Sequence, residues 1–113
     1  MVIRGSVWWI DFGDPFGSEP GYRRPGVVVS SDRFNASRIS TLHIVPLTTS
    51  LGWSAAPGNV EIARGTAELP RDCVANVSQT HVVDRRRLDQ RIGDLPMEIM
   101  SRIDAGLRLV FDL

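Results

Sequence analysis

The chain has 113 residues, of which 42% are hydrophobic, and its 13 basic and 13 acidic residues give a formal net charge of zero. An apolar fraction of this size excludes intrinsic disorder, and the neutral balance excludes bulk-charge binding of nucleic acid while leaving room for a local basic groove. The length suits one domain, residues 1–113, with a single modest core.

All 13 basic residues are arginine, a bias that a GC-rich genome produces by itself. The first residues, Met1-Val2-Ile3-Arg4-Gly5, lack the apolar run of a secretory leader, and no stretch approaches about 20 apolar residues. We therefore expect a cytoplasmic protein with no membrane partner. Cys73 is the single cysteine, so neither an intrachain disulfide nor a cysteine-ligated zinc site is expected.

Val7-Trp8-Trp9-Ile10-Asp11-Phe12 is rich in β-branched and aromatic residues and reads as a first strand. Residues 13–24 carry several glycines and prolines and read as a loop. Gly26-Val27-Val28-Val29 is a second strand, apolar enough for burial on both faces, and Ser31–Asn35 a turn or single helical turn. Leu42-His43-Ile44-Val45-Pro46-Leu47 is a third strand, stopped or placed at an edge by Pro46. A polar loop, 48–58, leads to a short strand over Asn59–Ile62. Cys73–Val77 is a further strand running on towards Thr80–Val83, and Asp84–Leu88 looks like a capped helical turn before a final strand, Gln90–Gly93. Pro96 suits a first helical position, and Met97, Ile99, Met100, Ile103, Leu107 and Val110 recur at helical spacing as an apolar stripe. Many short strands and one terminal helix point to a small, partly open barrel.

In that order the chain resembles a known family. The strand, the Gly17-Ser18-Glu19 loop, Arg24-Pro25 before a valine-rich strand, and Val45-Pro46-Leu47-Thr48-Thr49-Ser50 are similar to the MazF/PemK (Kid-like) toxins of bacterial toxin–antitoxin systems. The similarity continues through Gln79, Val83-Asp84-Arg85-Arg86-Arg87-Leu88, Ile92-Gly93 and the closing helix, covering nearly the whole chain. It implies a mainly β, SH3-like barrel of the MazF/CcdB type and a homodimer. It also implies a sequence-specific, metal-independent endoribonuclease, without cofactors, that cuts single-stranded RNA and is neutralised by a cognate acidic antitoxin. The family's catalytic arginine falls on Arg24, its catalytic threonine on Thr48 and its loop glutamate on Glu19. Substrate contacts are implied for Gly17, Ser18, Arg23, Thr49, Ser50, Trp53 and Gln79. Some relatives carry a lysine shortly after the threonine pair, where this chain has Gly52-Trp53.

The chemistry of these residue types is consistent with that reading. Metal-free RNA cleavage needs the 2′-hydroxyl to attack phosphorus in line while charge on the phosphoryl oxygens is stabilised. Arginine offers a planar fork of donors matched to those oxygens, whereas a guanidinium with a pKa above ~12 is a poor proton carrier. Arg24 is therefore assigned an electrostatic role, with Glu19 as a candidate base. Simpler roles stay open: Arg24 paired with Glu19 or Asp14, Glu19 as a surface carboxylate, and Thr48 and Thr49 capping a turn. His43 and His81 raise a pancreatic-type histidine pair, although strand histidines are more often structural. Trp8 and Trp9 must point to opposite faces of their strand, one into the core and one to a groove or interface. Trp53 can stack on a base or fold back onto the barrel. Arg85–Arg87 reads as a solvated helical face. Two rival functions are a CcdB-like gyrase poison and a non-catalytic RNA- or protein-binding module.

Overall fold

The computed structural model describes residues 2–113. Seven strands form one antiparallel sheet: β1 (Ser6–Asp11), β2 (Arg23–Val28), β3 (Thr41–Thr48), β4 (Val60–Ile62), β5 (Cys73–Ala75), β6 (His81–Asp84) and β7 (Leu88–Asp94). A single helical turn, α1 (Asp32–Asn35), follows β2, and the chain closes with α2 (Met97–Phe111). The strand order is β4-β5-β3-β2-β1-β7, with β6 paired to β3 beside β5. The sheet does not close, because β4 and β7 end it without pairing to each other.

The apolar runs bury both faces. Val7, Val27, Val45 and Leu47 belong to the larger cluster, and Ile10, Val28, Leu42, Ile44 and Val83 to a second one. Register explains the division: Val7 faces Val27 and Val27 faces Val45, whereas Val28 faces Ile44 on the alternate parity. Trp8 packs beside the second cluster and Trp9 points the other way, at the end of the strand where the larger cluster runs out.

β3 is the hub of the sheet, so Pro46 neither stops it nor marks an edge. β3 pairs with β2 on one side and with both β6 and β5 on the other. The Pro46 carbonyl accepts from Asn76 N at 2.9 Å, so its nitrogen faces that same side, in the gap between β6 and β5. No ladder bond is lost there, which is why a proline is tolerated. The same gap breaks the anticipated run from Cys73 to Val83 into two strands joined by a 3-10 turn, Val77–Gln79.

Three further expectations are corrected. Arg23 and Arg24 lie inside β2 rather than in the preceding loop, since β1 pairs with them through Asp11 and Ile10. Pro96 is the helix cap (ψ 154°) rather than the first helical residue. On α2 only Met100, Ile103 and Gly106 are buried; Met97 and Val110, counted in the apolar stripe, are 84% and 40% exposed. The inner face is instead completed by Gly106, whose backbone touches that of Gly58.

The arginine run is also more structural than its composition implies. Arg85 donates to the Asn35 and Ile39 carbonyls at 2.7 and 2.9 Å, and Arg87 to the Asp11 carbonyl at 3.0 Å. Only Arg86 behaves as a surface charge, paired with Asp84, whose carboxylate also caps the Arg85–Arg87 turn. The hydrogen bonds from Arg86 hold the Asp84 carboxyl below its ordinary range.

Candidate functional site

A cleft of about 500 Å³ opens where the β1–β2 loop, the end of β3 and the segment before β5 converge. It is lined by Arg24, Thr48 and Glu19 together with Ser18, Arg23, Thr49, Ser50, Trp53 and Gln79. Every catalytic or substrate-contact residue implied by the resemblance thus lines this cleft except Gly17.

The β-ladder is what gathers them. Gly26 stands opposite Pro46. Arg24 and Thr48 lie two residues beyond that pair on their own strands, and both line the cleft. The close approach requires glycine at position 26: a Cβ there would lie 2.7 Å from both Ile10 Cδ1 and Ile44 Cγ2. Arg24 is half-buried, and its Nε donates to the Gly21 carbonyl at 3.0 Å, which fixes the guanidinium plane. Among the described residues Arg24 forms no ion pair, so the pairing with Glu19 or Asp14 is not made and its terminal N–H groups stay free.

Thr48 is buried, 7% exposed, and its Oγ1 accepts from Ser50 N at 3.1 Å. The turn-capping role is therefore real, yet a hydroxyl that accepts one bond can still donate its own proton. Glu19 is exposed, and its Oε1 accepts from Phe16 N at 3.1 Å, inside its own loop. Arg23 lies over the Trp9 ring at 4.7 Å from its centroid and reaches Asp89 at 3.0 Å, so it is held at the rim.

Gln79 acts as a strut. Its Nε2 donates to the Ser18 carbonyl at 2.6 Å, and its Oε1 accepts from Asn76 Nδ2 at 3.0 Å. Buried Asn76 in turn accepts from Asn59 Nδ2 at 3.0 Å, and Asn59 also donates to the Trp53 carbonyl. One side-chain chain therefore ties the Glu19 loop to the Trp53 turn across the cleft.

The two histidines do not converge. His81 stands opposite Ile44 and His43 opposite Val82, so their rings point to opposite faces of adjacent strands. Each packs edge-on against a phenylalanine, His81 on Phe12 and His43 on Phe34. Among the described residues no group of three His, Cys, Asp or Glu side chains is placed to hold a metal ion. Cys73 lines the cleft floor, but burial, with a smaller push from Asp72, raises its thiol to about 11.

Residues 3–111 match the family described as PemK-like, MazF-like toxin of type II toxin–antitoxin systems. The chain is 40% identical over 113 residues to endoribonuclease MazF6 of Mycobacterium tuberculosis, covering 100% of this chain and 99% of the relative. It belongs to the PemK/MazF toxin family. Endoribonuclease EndoA of Bacillus subtilis is 30% identical to this PemK/MazF chain over 112 residues, 96% of the chain and 93% of EndoA. Among solved structures, MazF of Deinococcus radiodurans superposes with a TM-score of 0.81 at 20% identity, covering 98% of this chain and 96% of that one. A mycobacterial endoribonuclease in complex with its cognate antitoxin superposes with a TM-score of 0.78 at 22% identity, over 98% and 95% of the two chains.

Among the aromatic, amide and charged side chains that line the cleft of this PemK/MazF chain, four were not singled out as site residues from its sequence: Trp9, Tyr22, Arg71 and Asn76. Trp9 had a signal, since one of two adjacent strand tryptophans must leave the core. Asn76 had a weaker one, an amide inside an apolar run. Arg71 is one of 13 arginines and carries no local mark at all. Its presence depends on how the segment before β5 is folded.

Proposed function

We propose that this toxin is an endoribonuclease that cleaves single-stranded RNA without a metal ion, using the Arg24–Thr48 pair at the cleft. The 2′-hydroxyl attacks the adjacent phosphorus, the P–O5′ bond breaks, and the products are a 2′,3′-cyclic phosphate and a 5′-hydroxyl. The Arg24 guanidinium, anchored through Nε, presents its remaining N–H groups to the phosphoryl oxygens and stabilises the charge that develops on them. Thr48 donates a hydrogen bond from its hydroxyl to the same phosphate, and the departing 5′-oxygen takes its proton from water. Glu19 takes the proton from the 2′-hydroxyl after turning away from Phe16 N, while Arg23, Trp53 and Gln79 border the path of the strand. The observation that carries the proposal is a half-buried arginine without an acidic partner, beside a buried threonine, in a family whose relatives are named endoribonucleases.

The protein acts as a homodimer in the cytoplasm. Its antitoxin is an acidic chain that covers the arginines of the cleft, as suits a fold shared with a relative solved with its cognate antitoxin. No described helix is long and apolar enough to cross a membrane. The gyrase-poison reading is not favoured, since it would leave the Arg24–Thr48 arrangement without use.

The test is incubation of purified protein with a long unstructured RNA in EDTA, followed by mapping of the cut ends. Discrete cuts with cyclic-phosphate termini are expected, and Arg24→Ala should lower the rate by about 10²–10³-fold. Loss of cleavage in EDTA, restored by a divalent cation, would refute the metal-free mechanism; normal cleavage by Arg24→Ala would refute the site. Glu19→Gln tests the base alone: an unchanged pH–rate profile removes Glu19 from that role and leaves the rest standing.

A further inference from the structure

The loop between β1 and β2 turns back into the sheet at one residue. Phe12 N donates to the Tyr22 carbonyl at 2.9 Å and Tyr22 N to the Gly13 carbonyl at 2.6 Å, closing the loop at its base. Gly21 is pressed against Pro15, where a Cβ would lie 2.4 Å from Pro15 Cδ, so that position admits no side chain. The reversal falls on Tyr22, with φ +61°. Gly13 and Gly17 also have positive φ, +74° and +60°, and use the residue type that this backbone favours. Tyr22 does not; it is the one aromatic among the described residues with a left-handed backbone.

Those contacts hold the backbone, but no hydrogen bond of the Tyr22 side chain repays the strain. The Tyr22 side chain is 64% exposed and makes no hydrogen bond among the described residues. It does line the cleft, together with Trp9 and Trp53, two residues before Arg24 in the chain. A strained backbone persists where the surroundings over-determine it, and such residues cluster at ligand-binding sites.

We infer that Tyr22 is a substrate-contact residue, whose ring stacks on a nucleobase next to the phosphate held by Arg24. A phenol ring without charge or bonded partner fits a base face rather than a phosphate, and stacking accepts every base because each has a π-face. The inference rests on the RNA-cleaving reading above and extends it to how the strand is gripped.

The probe is an RNA oligonucleotide carrying the mapped cut site with a 2′-deoxy nucleotide at the attacking position, so that binding is measured without turnover. Tyr22→Gly removes the ring and relieves the backbone. It should therefore keep or raise Tm while weakening binding by roughly 5- to 150-fold, the range for loss of one aromatic–base stack. The slope of log Kd against log salt should stay unchanged, whereas Arg24→Ala should reduce that slope by about one. Tyr22→Phe and Tyr22→Trp should bind within about threefold of the wild type, since each keeps a stacking face. Wild-type affinity in Tyr22→Gly overturns the inference and leaves the RNA-cleaving reading intact. A fall in Tm with the weakened binding overturns it in favour of a structural role. If Tyr22→Gly loses only antitoxin binding, the ring serves a protein partner and the inference fails. A wild-type protein that binds no RNA overturns both readings.

Discussion

Replacing Gly106 with alanine sets two effects of opposite sign against each other. Gly106 lies inside α2, and helix propensity alone makes Gly→Ala worth about 1 kcal/mol of stabilisation there. Packing opposes it: a Cβ on Gly106 would fall 2.1 Å from the Gly58 carbonyl oxygen and 3.0 Å from its carbon. Both atoms are backbone, and Gly58 itself sits at φ +82°, so no side-chain rotation can clear the overlap. Reaching a normal contact requires α2 to lift by roughly 1 Å, and a gap of that size forfeits a quarter to a half of the dispersion well for each contact it opens. The buried Met100 and Ile103, packed in the larger cluster, would bear that loss. Taking the upper end of the overpacking range, about 3 kcal/mol, and subtracting the propensity gain leaves a net loss of about 2 kcal/mol. For 113 residues that is a fall in Tm of about 8 °C. Urea unfolding with an unchanged m-value is the assay, with Gly52→Ala as the control, because nothing lies within 4 Å of a Cβ at Gly52. A Gly106→Ala protein as stable as wild type, or more so, would show that α2 is not seated by this backbone contact.

The remaining outcomes rest on two buried residues, Cys73 and Asn76. The Cys73 thiol is raised from 9.0 to about 11, so its stabilising contribution is complete below pH 9 and disappears as the pH rises towards 11. Unfolding free energy should fall across that window by an amount of order 2–3 kcal/mol, and a Cys73→Ala variant should lack this step. Iodoacetamide at pH 8 should label native Cys73 at least about 100-fold more slowly than the unfolded chain, since two pKa units separate their thiolate fractions. Asn76→Ala would remove the acceptor of Asn59 and Ser78 and the donor to Gln79, at a cost of roughly 1–3 kcal/mol. It should also free the Ser18 side of the cleft, seen as faster proteolytic cutting within residues 13–22; an unchanged cutting rate would show that Gln79 holds its bond to Ser18 without Asn76.

Strand identity was legible where side chains decide it locally. Val7–Phe12 and Gly26–Val29 read correctly to within a few residues, because β-branched and aromatic runs favour the pleated backbone wherever they are placed. The capped turn at Asp84 was legible for the same reason, since its carboxylate closes on an N–H two residues ahead. Pro46 misled because the cost of proline depends on which side of the strand its nitrogen faces, and that is set by where β5 and β6 begin. Arg85 and Arg87 misled likewise: a run of three arginines looks solvated until carbonyls from residues 11, 35 and 39 are brought within reach.

For the candidate site, the ordered resemblance to the family singled out Arg24, Thr48 and Glu19, and their residue types, planar donors and a hydroxyl, are properties of the sequence that fit the implied chemistry. Their assembly was not. Arg24 and Thr48 lie just beyond the Gly26–Pro46 pair of a ladder that joins residues 20 positions apart, held by one glycine that lets β2 pass between Ile10 and Ile44. The strut from Asn76 through Gln79 to the Ser18 carbonyl spans 61 positions between its last two members. Tyr22 carries no warning in its name that its backbone must be left-handed; Gly21 packed on Pro15 and two hydrogen bonds at the loop base impose that. Local chemistry is written residue by residue, so the sequence by itself determined which groups this toxin has available. Which of them meet, and which of the 13 arginines keep free donors at the cleft, depends on long-range pairing, and only the tertiary structure decided it.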